Sequence, residues 1–258
     1  MVKKLWIQYG PAVIIFVVLM TVWEFGVRLF EVERFILPPP SAIWATFVEN
    51  FDRLVHIGWF TTSEALGGFA IGCTLGILTA LATARYVTVR ETLMPFAIAA
   101  NSVPILAFAP IVNNWFGVDS RLSKMIIVAV IIFFPMMINT VRGLTLVDPA
   151  ALELMRSYAA SDYEILTKLR LPNALPYMFS GFKVAASLSM IGAVVSEYFG
   201  GNRSALGVFI TQEAALFRFE NSWSAIIIAC VVGITFYLVI LAVERFTIPW
   251  HVSFRDGS

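Results

Sequence analysis

The chain has 258 residues, 59% of them hydrophobic and only 14% charged, with 22 phenylalanines and a formal net charge of +1. A mean hydropathy of +0.82 is more apolar surface than a soluble domain of this size can hide, so composition points to one polytopic, all-α membrane domain over residues 1–258. The basic residues are dispersed rather than striped along one face, which excludes a polyanion footprint and with it a nucleic-acid partner.

In chain order, MVKKLWIQYGPAVIIFVVLM has the basic start and apolar run of a signal peptide, but the run continues past Glu24 to Phe30 without a small-x-small cleavage site. It reads as a retained anchor. A bilayer core needs about 20 apolar residues per helix, and six stretches qualify: roughly 10–30, 62–84, 92–115, 122–142, 174–199 and 222–246. Glu24 lies near the far end of the first, within reach of headgroups or Arg28. After it, Pro38, Pro39 and Pro40 stop any helix and Ser41 is placed to cap a new one. Ile43, Trp44, Phe47, Phe51, Leu54 and Val55 then recur at three- and four-residue spacing. The 38–60 segment therefore reads as an amphipathic helix lying on the membrane lipid with its aromatic face down.

Gly68, Gly72 and Gly76 in the second span form a small-residue ladder for close helix approach. The third span breaks itself at Pro104 and Pro110 and carries Asn101, Asn113 and Asn114 toward membrane depth, where irregular backbone is tolerated only against protein or a watery cavity. The fourth contains Pro135 and Asn139 and ends at Arg142. The fifth shows Gly181, Ala185, Ser189 and Ser196 on one stripe, with Lys183, Ser187 and Glu197 as its other polar groups. The stripe reads as a packing seam, with Lys183 close enough to the helix start to snorkel. Because polar groups recur on the middle helices, the candidate path residues are Asn101, Pro104, Asn139, Ser187 and Glu197.

Between the fourth and fifth spans, Asp148, Glu153, Arg156, Asp162, Glu164, Lys168 and Arg170 concentrate charge that a bilayer rejects. The 148–172 segment therefore reads as a docking surface outside the membrane, with Pro172 and Pro176 separating it from the start of the fifth span. Leu152, Met155, Leu166 and Leu169 supply apolar knobs, and the charges supply a rim. With a cytoplasmic N-terminus, Lys3, Lys4, Arg85, Arg90, Arg142, Arg156, Lys168, Arg170, Arg245 and Arg255 fall inside, and Arg28, Arg34, Arg53, Arg121, Lys124, Arg203 and Arg218 outside. That bias places both termini and the docking segment in the cytoplasm. Cys73 and Cys230 read as two small buried apolar side chains. With His56 and His251 isolated from any ligand cluster, neither a metal site nor an intramembrane catalytic set is expected.

Glu153, Ala159, Leu169, Leu171 and Pro172 fall on the spacing E-A-A-x3-G-x9-I-x-L-P. With ILPPPSAIW, VPILAFAPI, FFPMMINTVRGLTLVDP and VERFTIPW in this order, the chain resembles the binding-protein-dependent ABC importer permeases of the type I class, in the nitrate, sulfonate and taurine branch. VSEYFGG and RSYAAS lean toward its pyrimidine-precursor or riboflavin members. Leu154 and Met155 replace the paired alanines of the signature and Ala159 its glycine; the turn is then made by Ala159, Ala160 and Ser161, with Ser161 capping the second helix. The resemblance implies a permease of the bacterial inner membrane, paired with a second copy, an ATP-binding subunit dimer and a periplasmic or lipid-anchored solute-binding protein. The docking residues it marks are Asp148, Glu153, Met155, Arg156, Ala159, Ser161, Asp162, Leu169, Leu171 and Pro172. No G-x-x-x-x-G-K-[ST] loop occurs, so ATP and magnesium belong to the partner and this chain is not itself an enzyme. The competing reading is a secondary transporter driven by an ion gradient, for which Glu24, Lys183 and Glu197 would be the ion-coupling groups.

Overall fold

The computed structural model describes residues 2–84 and 86–249, with the side chains of 2–9, 84 and 87–90 left aside. Of the cations used to orient the chain, Arg85 and Arg255 lie outside the described residues, as do the side chains of Lys3, Lys4 and Arg90; His251 is outside them as well. Eleven α-helices are described: α1 (Val2–Leu29), α2 (Pro40–Glu49), α3 (Phe51–Ala84), α4 (Val87–Asn101), α5 (Ala109–Phe116), α6 (Arg121–Thr145), α7 (Pro149–Ser157), α8 (Asp162–Ile165), α9 (Leu171–Tyr198), α10 (Leu206–Ala215) and α11 (Phe219–Thr247). Five helical segments are long and apolar enough to cross a membrane, and six when α4 and α5 count as one bent span.

The centre of the bundle is α3, α6 and α9, with Val128, Ile132, Met136, Ala185, Met190 and Ala193 in its core. The glycine ladder of α3 lies against α6. A methyl on Gly72 would sit 2.5 Å from Ile132 Cγ1 and 2.6 Å from the Ala129 carbonyl, and one on Gly68 would meet Val128 Cβ at 2.5 Å. On α9 the small stripe is the complementary seam, with Gly181, Ala185, Ser189 and Ser196 all buried. Without an apolar driving force between helices in lipid, close backbone approach supplies the packing energy. The most hydrophobic windows of α1 and α11 are only 6% buried, as peripheral, lipid-facing helices require.

Four expectations are corrected. The 38–60 segment is two helices meeting at Asn50, whose side-chain amide donates to the Thr46 carbonyl at 3.0 Å. Its apolar stripe also divides: Ile43, Phe47 and Leu54 are buried in protein, while Trp44, Phe51 and Val55 are exposed. Ser41 does not cap α2, because Pro39 holds that position. The Ser41 N–H and hydroxyl instead donate to Glu24 at 2.9 and 2.8 Å, and Glu24 also pairs with Arg28. An α1 carboxylate thus serves the first turn of α2, the role a cap would fill.

The third span, expected to break at both Pro104 and Pro110, bends once, by 77°, between α4 and α5. Pro104 brings no N–H and biases Val103 away from the helical region, which ends α4 at Asn101; a 3-10 turn over Ile105–Phe108 reconnects the chain. Pro110 breaks nothing, since it sits in the first turn of α5 where a missing N–H costs no hydrogen bond.

Finally, Pro172 and Pro176 do not separate the docking turn from the fifth span. Asp162 to Tyr198 runs as one 37-residue helical segment. A π-helical turn over Leu166–Arg170 widens the coil just before Pro172, where the ring would otherwise crowd the Lys168 carbonyl. At about 1.5 Å per residue the segment reaches roughly 55 Å, far beyond a bilayer core of about 30 Å, so its first turns project outside the membrane.

Candidate functional site

The projecting end is built around α7. Asp148 caps it, its Oδ1 accepting from Ala150 N at 3.0 Å, and Pro149 occupies the first turn. At the other end, Ala160 N donates to the Met155 carbonyl at 3.0 Å and Ala159 N to that of Arg156 at 2.9 Å. This is a Schellman closure whose left-handed residue is Ala159, at φ +53°. The position where the signature carries glycine is thus the position where the backbone demands one, and Ala159 holds it against steric cost. Ser161 then caps α8 in a reciprocal box with Glu164. Lys168 bridges Glu164 at 2.9 Å, and its ammonium together with the two Ser161 hydrogen bonds holds that carboxyl well below the usual carboxylate range. At the base, Asn173 donates to the carbonyls of Gly143 and Leu146 at 2.8 and 2.9 Å, fastening the start of α9 to the end of α6.

None of the residues of α7 is buried. The large exposed apolar side chains here are Leu154, Tyr158 and Tyr163, at 57, 79 and 73%. They replace Leu152, Met155, Leu166 and Leu169 as the presented knobs; those four are half-buried, with Leu166 packed against Leu144 and Ala174. The signal for the substitution was helical phase: Leu154 and Tyr158 are four residues apart and share a face. Glu153, Arg156, Ala159, Ser161, Asp162 and Pro172 are exposed as expected, and Met155, Leu169 and Leu171 are partly covered.

Among the path candidates, Asn101 and Pro104 come together on an apolar groove of about 530 Å³ with Ile131, Pro135, Leu188 and Ile191. Asn139 lies one turn from Pro135 and donates to its carbonyl at 2.8 Å. Ser187 faces a different groove, of about 530 Å³, between α9 and α11, lined by Met190, Tyr198, Cys230 and Tyr237. Cys230 is therefore exposed rather than buried, while Cys73 is buried as expected. Glu197 reaches neither groove: it is 1% exposed and accepts from Gly207 N at 2.6 Å.

The structure also exposes two polar groupings that sequence reasoning missed. Lys183 does not snorkel: its Nζ lies 2.8 and 3.1 Å from the Glu244 carboxylate oxygens, joining α9 to α11. At the opposite end, Lys124 is not an external loop cation but 1% exposed, donating to Asn113 Oδ1 at 2.6 Å and the Val118 carbonyl at 3.0 Å, beside buried Glu64. Glu64 carried a readable signal, being an ionisable residue inside an apolar span. Glu24, Lys183 and Glu197, the ion-coupling groups of the secondary-transporter reading, each hold a structural partner. Among the described residues, no cluster of His, Cys, Asp and Glu has the makings of a metal site.

Comparison with known proteins bears on this geometry. Residues 72–249 match the family model described as binding-protein-dependent transport system inner membrane component. The chain is 29% identical over 237 residues to the formylaminopyrimidine transport permease protein ThiX of Halalkalibacterium halodurans, covering 92% of this chain and 94% of that one. It is 29% identical to the riboflavin transport system permease protein RibX of Chloroflexus aurantiacus, at 91% and 88% coverage. It is 26% identical to the taurine transport system permease protein TauC of Escherichia coli, at 91% and 87%. A solved structure titled as an amino acid ABC transporter with histidines superposes with a TM-score of 0.62 at 16% identity, covering 78% of this chain and 97% of that one. That likeness shows the fold.

Proposed function

The chain belongs to the binding-protein-dependent inner-membrane components of ABC transport systems, and from that premise we propose that the α7 projection is where a separate ATP-hydrolysing subunit docks. The observation that carries the proposal is an exposed helix, closed at both ends by its own capping bonds, standing on a 37-residue helix that passes unbroken into the bundle core. Leu154, Tyr158 and Tyr163 offer apolar anchors, and Glu153, Arg156 and Asp162 the polar rim of a modest protein interface. The Asn173 clamp binds α9 to α6, so a push on α7 is delivered to both helices together.

Closure of the partner subunits on ATP would move α7 as a lever and tilt α6 and α9, opening the membrane domain alternately to its two sides. The Asn101 and Pro104 groove, with Asn139 one turn away, is the path face in this reading, and a second copy of the chain closes it. Ser187 lines its flank on the α11 side, and Glu197 acts as a fastening at the outer end. Both termini lie in the cytoplasm with α7, and a periplasmic or lipid-anchored solute-binding protein meets the opposite end, delivering a small polar or anionic solute. Relatives named for formylaminopyrimidine, riboflavin and taurine transport support that class of cargo.

The test is reconstitution. With its ATP-hydrolysing partner and receptor, the chain should drive uptake in liposomes that depends on ATP and ignores ion gradients. Uptake by this chain alone under a proton or sodium gradient would establish the secondary-transporter reading instead.

A further inference from the structure

At the outer end of the bundle, α3 contributes Glu64 and Thr61, α5 contributes Asn113, α6 contributes Lys124 and α9 contributes Glu197, with exposures of 2, 0, 2, 1 and 1%. With every group ionised, this cluster carries an excess of negative charge. The two buried carboxyl groups are neighbours, yet only one buried cation stands beside them. Lys124 directs its described hydrogen bonds to Asn113 Oδ1 and the Val118 carbonyl, not to either glutamate. The other nearby cation, Arg121, is turned onto the Phe60 ring, 4.1 Å from its centre.

Each glutamate is also left with a buried oxygen lacking a partner: Oε2 of Glu64 and Oε1 of Glu197. The rest of the site is well supplied. Glu197 Oε2 accepts from Gly207 N at 2.6 Å, and Thr61 accepts from Leu206 N at 2.9 Å while its hydroxyl reaches Glu197. Two buried acceptors without a partner on neighbouring carboxyl groups, with one positive charge for two negative ones, are what a missing donor leaves behind.

We infer that Glu64 and Glu197 hold one proton between them, so that the outer end of the bundle carries a permanent proton-binding site. A single proton gives one of the two carboxyl groups a donor and brings the cluster to one cation and one anion, which a buried site tolerates far better than two anions. The remaining charged or titratable groups are Arg121 from α6 beside Glu64, Tyr198 from α9 beside Glu197, and Asp119 from the turn before α6, which faces Lys124. The site is structural in position and fastens α3, α9 and the first turn of α10; it reaches neither groove.

Infrared difference spectroscopy on the intact chain in lipid at neutral pH tests it. Wild type minus Glu64→Gln should show one protonated carboxyl stretching band that shifts in deuterated buffer, and wild type minus Glu197→Gln should show the same band. In each variant the remaining glutamate pairs its charge with Lys124 and ionises. Glu64→Gln should keep the melting temperature of the wild type, since the amide N–H replaces the shared O–H. A spectrum without a carboxylic acid band in either difference, or a clear rise in melting temperature in both variants from relief of like-charge repulsion, overturns the inference. If Glu64→Gln does not fold, the Glu197→Gln difference alone decides.

Discussion

Removing Lys183 offers the sharpest energetic prediction. Its Nζ lies 2.8 Å from Glu244 Oε2, with side-chain exposures of 22% for the lysine and 6% for the glutamate. At an effective dielectric of about 20, two charges at that distance attract by roughly 6 kcal/mol. Withdrawing each ion from water costs several kcal/mol, so the intact pair contributes little net stability. Lys183→Met keeps the desolvation of Glu244 and abolishes the attraction. The expected loss is about 3 kcal/mol, the lower end for a broken buried pair because the lysine keeps some solvent contact.

For a chain of this size that is a fall of roughly 6–12 °C in melting temperature. Glu244→Leu alone should behave similarly. The double variant Lys183→Met with Glu244→Leu should return to within about 1 kcal/mol of wild type or exceed it, because neither charge is left uncompensated. Thermal unfolding of the detergent-solubilised chain, run as a double-mutant cycle, reads this directly. Single variants within about 0.5 kcal/mol of wild type, or a double variant as damaged as the sum of the two, would refute the buried-pair account.

Three further outcomes follow from packing and capping. Gly72→Ala forces a methyl to 2.5 Å from Ile132 and 2.6 Å from the Ala129 carbonyl and should cost about 2 kcal/mol, whereas Gly26→Ala, with no atom within 4 Å, should be neutral or stabilising by up to about 1 kcal/mol; parallel melting curves compare them. Ala159→Gly relieves a left-handed alanine and should add about 1 kcal/mol with transport intact, while Ala159→Asp should leave membrane insertion unchanged and uncouple ATP hydrolysis from uptake. Ser161→Ala removes one arm of the capping box and should cost about 1 kcal/mol, detectable as faster amide exchange over residues 162–165 than over 185–193.

What could be read from sequence and what could not divide by the range of the interaction. The apolar runs, the glycine ladder and the Ser161 cap are set by neighbours a few residues away, and each appears where its pattern placed it. Pro172 misled because the rule that proline ends a helix takes no account of a π turn absorbing the crowded carbonyl. Glu244 was passed over because Lys183, 61 residues away, gives it meaning only once α9 and α11 are side by side. Lys124 looked like a loop cation for the same reason: Asn113 and the 77° bend that delivers it are features of the fold. Glu197 was read as a path residue from its polarity, which takes no account of the Gly207 N–H, brought to it by α10, that its carboxylate accepts.

The central claim is that α7 receives the ATP-hydrolysing subunit, and site-directed cross-linking tests it most directly. In a chain with Cys230 replaced, a cysteine at Tyr158 should cross-link to the co-expressed ATP-hydrolysing subunit, with a yield that changes on adding ATP. A cysteine at Phe217, 69% exposed on the opposite end between α10 and α11, should not. Cross-linking from Phe217 and none from Tyr158 would contradict the account.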